Sequence, residues 1–102
     1  MREENKEALM AAKRELEEEA GLEAKEWNLL GEFLMEGSVI ARKKFLFLAK
    51  DLHTTKQALE VDEAIEIIWI PFQKALEMIK TGEISDGATV LALLLTQAKT
   101  EN

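Results

Sequence analysis

Two stretches of this chain are apolar on both faces, and they restrict the fold more than any other feature. The first runs from Phe45 to Leu48, and the second runs from Ile65 to Ile70. Successive side chains of a strand point to opposite sides, so such stretches need cover on both faces of a sheet. Both are therefore predicted to be strands, and the first is expected to be central in its sheet.

The region before these stretches predicts one helix and a further strand. Residues 4–20 are rich in good helix formers, and their apolar positions follow helical spacing. Gly21 suits the left-handed position that ends a helix. A strand is predicted over residues 26–35, and the first apolar stretch extends to a strand over residues 43–51. The pair Gly37-Ser38 predicts the turn between them.

The region after Pro71 predicts two helices. Apolar residues return there at helical spacing, and Gly82 is expected to end the first of these helices. Either Ser85 or Asp86 can cap the second, which is predicted to run to about Ala98. The expected fold is one α+β (mixed α/β) domain over residues 1–102, with a small mixed sheet packed between helices.

Charge and composition exclude several classes of function. The formal net charge of -7 argues against binding to a nucleic-acid backbone, which needs clustered Lys and Arg. The chain has no cysteine, so neither a disulfide nor a thiolate metal site is possible. The sequence has neither an apolar run of about 18 residues nor a secretory signal at its acidic start. We therefore expect a cytoplasmic protein with no nucleic-acid or membrane partner.

The stretch from Arg14 to Leu22 carries the candidate chemistry. Glu15, Glu18 and Glu19 stand at positions i, i+3 and i+4, so their carboxylates share one side of a helix. Such crowded negative charge lowers helix stability unless a cation neutralises it, and hard divalent ions prefer carboxylate oxygens. A solvated acidic helix face is the commoner explanation when charge alone is considered.

The order of residue types in this stretch narrows the interpretation. It follows the pattern Arg-Glu-apolar-x-Glu-Glu-x-Gly-apolar, which resembles the second half of the Nudix box. Four further stretches resemble the ADP-ribose pyrophosphatase type of Nudix hydrolase, so the likeness covers the chain from about Ala8 to Ala98. These stretches are Leu30–Phe33, Phe45–Leu52, Leu59–Glu66 and Gly82–Asp86.

The resemblance implies a reaction and a role for each site residue. In this family water attacks a nucleoside diphosphate linked to another moiety, with Mg²⁺ or Mn²⁺ held by the box carboxylates. Here the metal ligands would be Glu15, Glu18 and Glu19, while Arg14 would orient a carboxylate. Glu63 would complete the metal site or act as the base, with Asp62 and Glu60 as alternatives. Glu18, Glu63 and Arg14 are thus the candidate catalytic residues.

The chain also departs from the family pattern. Lys6 occupies the position of the first box Glu, and the box Gly would precede Met1, so the chain is expected to be a truncated, C-terminal part of the fold. The alternative to a Nudix hydrolase is therefore an inactive remnant that serves as an oligomerising or interaction module.

Missing strands would leave an apolar surface open, and an open sheet edge pairs readily with another chain. We therefore expect a homodimer or higher oligomer with strand residues in its interface. Trp27 and Trp69 can stack on a base, but strand tryptophans more often pack in the core.

Overall fold

The computed structural model describes residues 2–36, 41–59 and 66–100, and it confirms the α+β fold class. Over these residues the chain forms three α-helices, two antiparallel strands and one short 3-10 helix. In chain order they are α1 (Glu3–Ala20), β1 (Leu22–Glu36), β2 (Ala41–Thr54), the 3-10 helix (Lys56–Leu59), α2 (Phe72–Thr81) and α3 (Gly87–Thr100). They divide into two compact units, residues 1–67 and residues 68–102. None of the helices in these ranges is long and apolar enough to cross a membrane.

The first helix ends where the sequence predicts. Gly21 adopts the left-handed conformation with φ 66°, and its N–H donates to the carbonyls of Glu17 and Leu16. A residue with a side chain is strained in that conformation, so glycine is the natural stop. Glu3 and Glu4 lie in the first turn, where negative charge favours the helix dipole. The last turn holds no basic residue.

The two strands pair over almost their whole length, from Leu22 opposite Thr54 to Glu36 opposite Ala41. The register shifts by one residue between Leu29 and Gly31, so Leu30 is an extra residue in β1 and forms a β-bulge. Alternation along β2 places Phe45 and Phe47 on one face and Leu46 and Leu48 on the other.

The helix α1 lies against the Phe45 face of this sheet. Glu32 is the direct partner of Phe45, and Lys43 is two residues before it, so both side chains point to that face. Both side chains form ion pairs with residues at the start of α1. Leu22, Leu30 and Leu46 are the buried apolar residues of this unit, each with less than a tenth of its surface exposed.

The predicted third strand is wrong for the residues that the structure describes. Residues 66–70 have no regular secondary structure, and the described sheet contains β1 and β2 alone. A strand exists through its ladder of hydrogen bonds, and both described strands pair with each other. For the same reason, β2 is not central in the described sheet as predicted. Trp69, expected in the core, keeps 69% of its surface exposed. The turn predicted at Gly37-Ser38 lies outside the described residues.

The second unit consists of α2 packed on α3. Ala75 on α2 is buried, and Gly82 ends this helix in the left-handed conformation with φ 85°, as predicted. The two capping candidates for α3 are resolved in favour of Asp86. Its carboxylate accepts hydrogen bonds from the N–H of Thr89 at 3.0 Å and from the Thr89 hydroxyl at 2.8 Å. These bonds satisfy an N–H at the start of α3 that the helix leaves unpaired.

Candidate functional site

The structure brings the three predicted ligands of the box together on one exposed side of α1. A helix turns by about 100° per residue, so Glu15, Glu18 and Glu19 fall within roughly 100° of one another around its axis. Their side chains and that of Arg14 are all exposed. The guanidinium of Arg14 lies 3.9 Å from the carboxylate of Glu18, with more than half of each side chain exposed.

The charge on this side of α1 is suited to a cation. Glu18 and Glu19 lie in the last turn, where helix carbonyls add partial negative charge and no basic residue of that turn offsets it. Carboxylate oxygens are also the donors that Mg²⁺ and Mn²⁺ prefer. The chemistry of the donor set therefore fits a divalent ion.

The described residues supply part of such a site. Among residues 2–36, 41–59 and 66–100, no group of three or more acidic or histidine side chains has the geometry to hold a metal ion. The other predicted donors, Glu60, Asp62 and Glu63, lie outside the described residues.

The end of α1 is fixed against the 3-10 helix. The N–H of Thr55 donates to the carbonyl of Gly21 at 2.9 Å. A β-carbon on residue 21 would lie 2.4 Å from the Cα of Ala58, so the two backbones touch. The described chain continues to Leu59, one residue before Glu60. This contact positions the start of the acidic segment near the turn that carries Glu18 and Glu19.

A network of charges ties the start of α1 to both strands. Arg2 donates a hydrogen bond to Glu32, and Lys43 lies 3.0 Å from Glu4 and 4.0 Å from Glu32. The bond from Arg2 holds the pKa of the Glu32 carboxyl below its ordinary value, and the same bond raises the pKa of the Arg2 guanidinium. Both residues therefore stay charged at neutral pH. The network fixes the helix that carries the box carboxylates on the sheet.

A cleft of about 200 Å³ lies on another side of α1. It is lined by Lys13, Glu17, Glu23, Ala24 and Trp27. Glu17 lies about 160° around the helix from Glu15 and Glu19, so the cleft does not face those two box carboxylates. The Trp27 indole donates to the carbonyl of Ala24 at 3.1 Å and meets Phe47 edge to face, with ring centroids 6.2 Å apart. These contacts support a packing role for Trp27.

Sequence reasoning missed the charge network and the cleft. Arg2 and Glu32 are 30 positions apart, as are Glu23 and His53, whose side chains meet at 3.0 Å. Spacing along the chain carries no signal for such pairs. The strand register could have found them, because Glu23 and His53 are direct partners in the ladder.

Comparison with known proteins gives the same family as the sequence pattern. The family model described as the NUDIX domain matches residues 1–93. The GDP-mannose pyrophosphatases of Escherichia coli (strain K12) and Shigella flexneri serotype 5b (strain 8401) are each 38% identical to the chain over 94 residues. The match covers 87% of this chain and 48% of each relative. The chain therefore spans about half the length of the curated relatives it matches.

Proposed function

The chain belongs to the Nudix family, and from this premise we propose that it carries the metal-binding helix of a Nudix-type hydrolase. Its substrate would be a nucleoside diphosphate linked to another moiety. The observation that carries the proposal is the placement of Glu15, Glu18 and Glu19 on one exposed side of α1, in a turn without basic residues.

The proposed roles follow from the position of each side chain. Glu15, Glu18 and Glu19 would hold the metal, and Glu63 would complete the set or act as base. Arg14 would orient Glu18, consistent with the ion pair between them. When bound, Mg²⁺ or Mn²⁺ would stabilise the negative charge that develops on the diphosphate oxygens.

The bond changes are those of a simple hydrolysis. A water oxygen forms a bond to one phosphorus of the diphosphate, and the bridging P–O bond to the other phosphorus breaks. A carboxylate, Glu18 or Glu63, accepts the proton of the water. The products are two phosphate monoesters.

The substrate proposal has two sources. The relatives are GDP-mannose pyrophosphatases, which favours a nucleoside diphosphate sugar as the class of substrate. The sequence pattern resembles the ADP-ribose pyrophosphatase type, which favours ADP-ribose within the same class. Because the chain spans about half of each relative, the activity of the whole protein is itself part of this proposal.

The decisive experiment measures hydrolysis by the chain as it stands. GDP-mannose and ADP-ribose would be incubated with the protein and Mg²⁺, and alkaline phosphatase would release phosphate from any monoester products. We expect phosphate release that EDTA abolishes. Intact substrates have no terminal phosphate for the phosphatase, so release reports cleavage of the diphosphate. A rate equal to the protein-free control with both substrates would contradict a catalytic role for this chain.

One observation favours a second candidate, a non-catalytic interaction module. Lys6 stands where the resemblance places the first box Glu, and its side chain is exposed on α1. A cation at that position repels a metal ion. Restoring the acid with Lys6→Glu separates the two candidates: a gain of hydrolysis would show that the remaining box residues are competent, and continued inactivity would support the interaction module.

A further inference from the structure

The segment from Ile67 to Ile70, here called the apolar segment, is the most exposed run of large apolar side chains in the described ranges. Ile67, Ile68, Trp69 and Ile70 keep 43%, 65%, 69% and 37% of their surface exposed. Their exposed parts form a patch on the order of 500 Å², which is as large as a soluble monomer usually shows. Such a patch marks an interaction surface.

The backbone of this segment is also free to pair. Within the described ranges, no hydrogen bond involves the backbone of residues 66–70. Isoleucine and tryptophan favour extended conformations. The segment therefore offers both an unpaired backbone edge and apolar side chains, the two features that allow a strand to add to another strand.

We propose that the apolar segment pairs in an antiparallel manner with the same segment of a second copy of this chain. A two-fold axis between Ile68 and Trp69 places each of these residues opposite the other in the partner, and places Ile67 opposite Ile70. Every directly opposed pair is then uncharged, and two of them are aromatic with β-branched, a favourable combination. Glu66 falls opposite a proline, so equal charges are not opposed.

Charge and area both favour a second copy as the occupant. Each copy carries a net charge of -7, so two copies approach best through a surface without charge. Two patches together bury on the order of 1,000 Å², the lower bound for a specific interface. Pro71 lacks the N–H that would extend the ladder, which limits the pairing to this short stretch. The dimer is accordingly a weak one.

Sedimentation velocity over a range from low micromolar to near millimolar concentration tests the proposal. The wild type should shift from monomer to dimer, and Trp69→Lys should raise the dissociation constant at least about tenfold. Leu34→Lys is the matched control, because Leu34 is also 69% exposed but lies on β1. It should leave the dissociation constant unchanged. A wild type that stays an 11.5 kDa monomer throughout, or equal weakening by both variants, would overturn the proposal.

Disulfide trapping tests the register. The chain has no cysteine, so introduced cysteines report without background. A mixture of Ile68→Cys and Trp69→Cys chains should give a mixed disulfide under mild oxidation, because these positions are directly opposed across the proposed axis. A mixture of Ile68→Cys and Leu34→Cys should give far less. Equal yields from the two mixtures would refute this pairing even if the chain dimerises.

Discussion

Gly21 and Ala58 touch through their backbones, and a β-carbon on Gly21 would lie 2.4 Å from the Cα of Ala58. This contact joins the end of the box helix to the 3-10 helix that precedes the acidic segment. Two separate demands thus fall on one glycine. It must adopt a left-handed conformation, and it must leave room for a neighbouring backbone.

Replacement of Gly21 by alanine should therefore lower the free energy of unfolding by more than about 2 kcal/mol. The left-handed conformation alone costs roughly 1–2 kcal/mol for a residue with a side chain, and the contact with Ala58 adds to it. Urea unfolding followed by circular dichroism measures the change.

Two other glycines serve as controls for that measurement. Gly82 is also left-handed but has open space around it, so Gly82→Ala should cost only the roughly 1–2 kcal/mol of conformational strain. Gly87 is the first residue of α3, without positive φ, and Gly87→Ala should stabilise by about 0.4–1 kcal/mol. A cost for Gly21→Ala no larger than that for Gly82→Ala would show that the contact with Ala58 yields easily.

Metal binding should depend on the side of α1 that carries the substituted residue. Glu19→Gln should weaken Mn²⁺ binding at least as much as loss of an outer-shell partner does, roughly 10- to 100-fold. Glu17→Gln removes the same charge from the same helix, on the side that lines the cleft, and should change the affinity little. Calorimetric titration would decide. Equal affinities for Glu19→Gln and the wild type would remove Glu19 from the set of ligands.

Hydrolysis should follow the same division. In an active chain, Glu18→Gln and Glu19→Gln should each lower kcat by about 100-fold or more, because charge on the diphosphate is then poorly stabilised. Glu17→Gln should retain activity. The coupled phosphate assay gives the rates, and substantial turnover by both Glu18→Gln and Glu19→Gln would show that the box carboxylates are not used.

Acid should weaken the tie between α1 and the sheet. The pKa of Glu32 is lowered in the folded chain by its hydrogen bond from Arg2, so its contribution is complete above the ordinary value of 4.5. That contribution is lost as pH falls through the lowered folded value. The difference in urea midpoint between wild type and Glu32→Gln should therefore shrink below about pH 4.5.

Glu26→Gln provides the comparison for the acid experiment. Glu26 pairs with Lys50 at 3.7 Å, with 57% of its side chain exposed against 24% for Glu32. An exposed pair of this kind contributes little, so its removal should change the urea midpoint less at neutral pH. Strong salt should reduce the Glu32 effect as well, because the network remains accessible to ions.

The cap of α3 gives a further test. Asp86→Ala should lower the free energy of unfolding by about 1 kcal/mol, because the N–H of Thr89 loses its acceptor. Ser85→Ala should have little effect. Reversal of this order would mean that Ser85 and not Asp86 stabilises the start of the helix.

The sequence predicted those features that depend on neighbours along the chain. Gly21 and Gly82 were identifiable as helix stops, and the spacing of Glu15, Glu18 and Glu19 placed their carboxylates on one side of α1. These results depend on helix geometry and on the conformational freedom of glycine. Both are properties of a short piece of chain.

The features that failed depend on distant partners. Apolar character on both faces of residues 65–70 indicates that a strand is suitable, but it does not supply the neighbour that a ladder needs. Arg2 likewise meets Glu32 across 30 positions because of the strand register. The choice between Ser85 and Asp86 required the side-chain geometry at Thr89.

The extra residue at Leu30 changes which side chains of β1 can be reached from α1. Before the bulge, odd-numbered residues such as Trp27 point to the Phe45 face, and after it even-numbered residues such as Glu32 do so. One rigid helix can therefore contact both Trp27's end of the strand and Glu32. Loss of this one residue would restore uniform alternation and turn Glu32 away from Arg2. In β1 a deletion of one residue is consequently a change of side for everything that follows, whereas a deletion of two would shorten the strand and keep its parity.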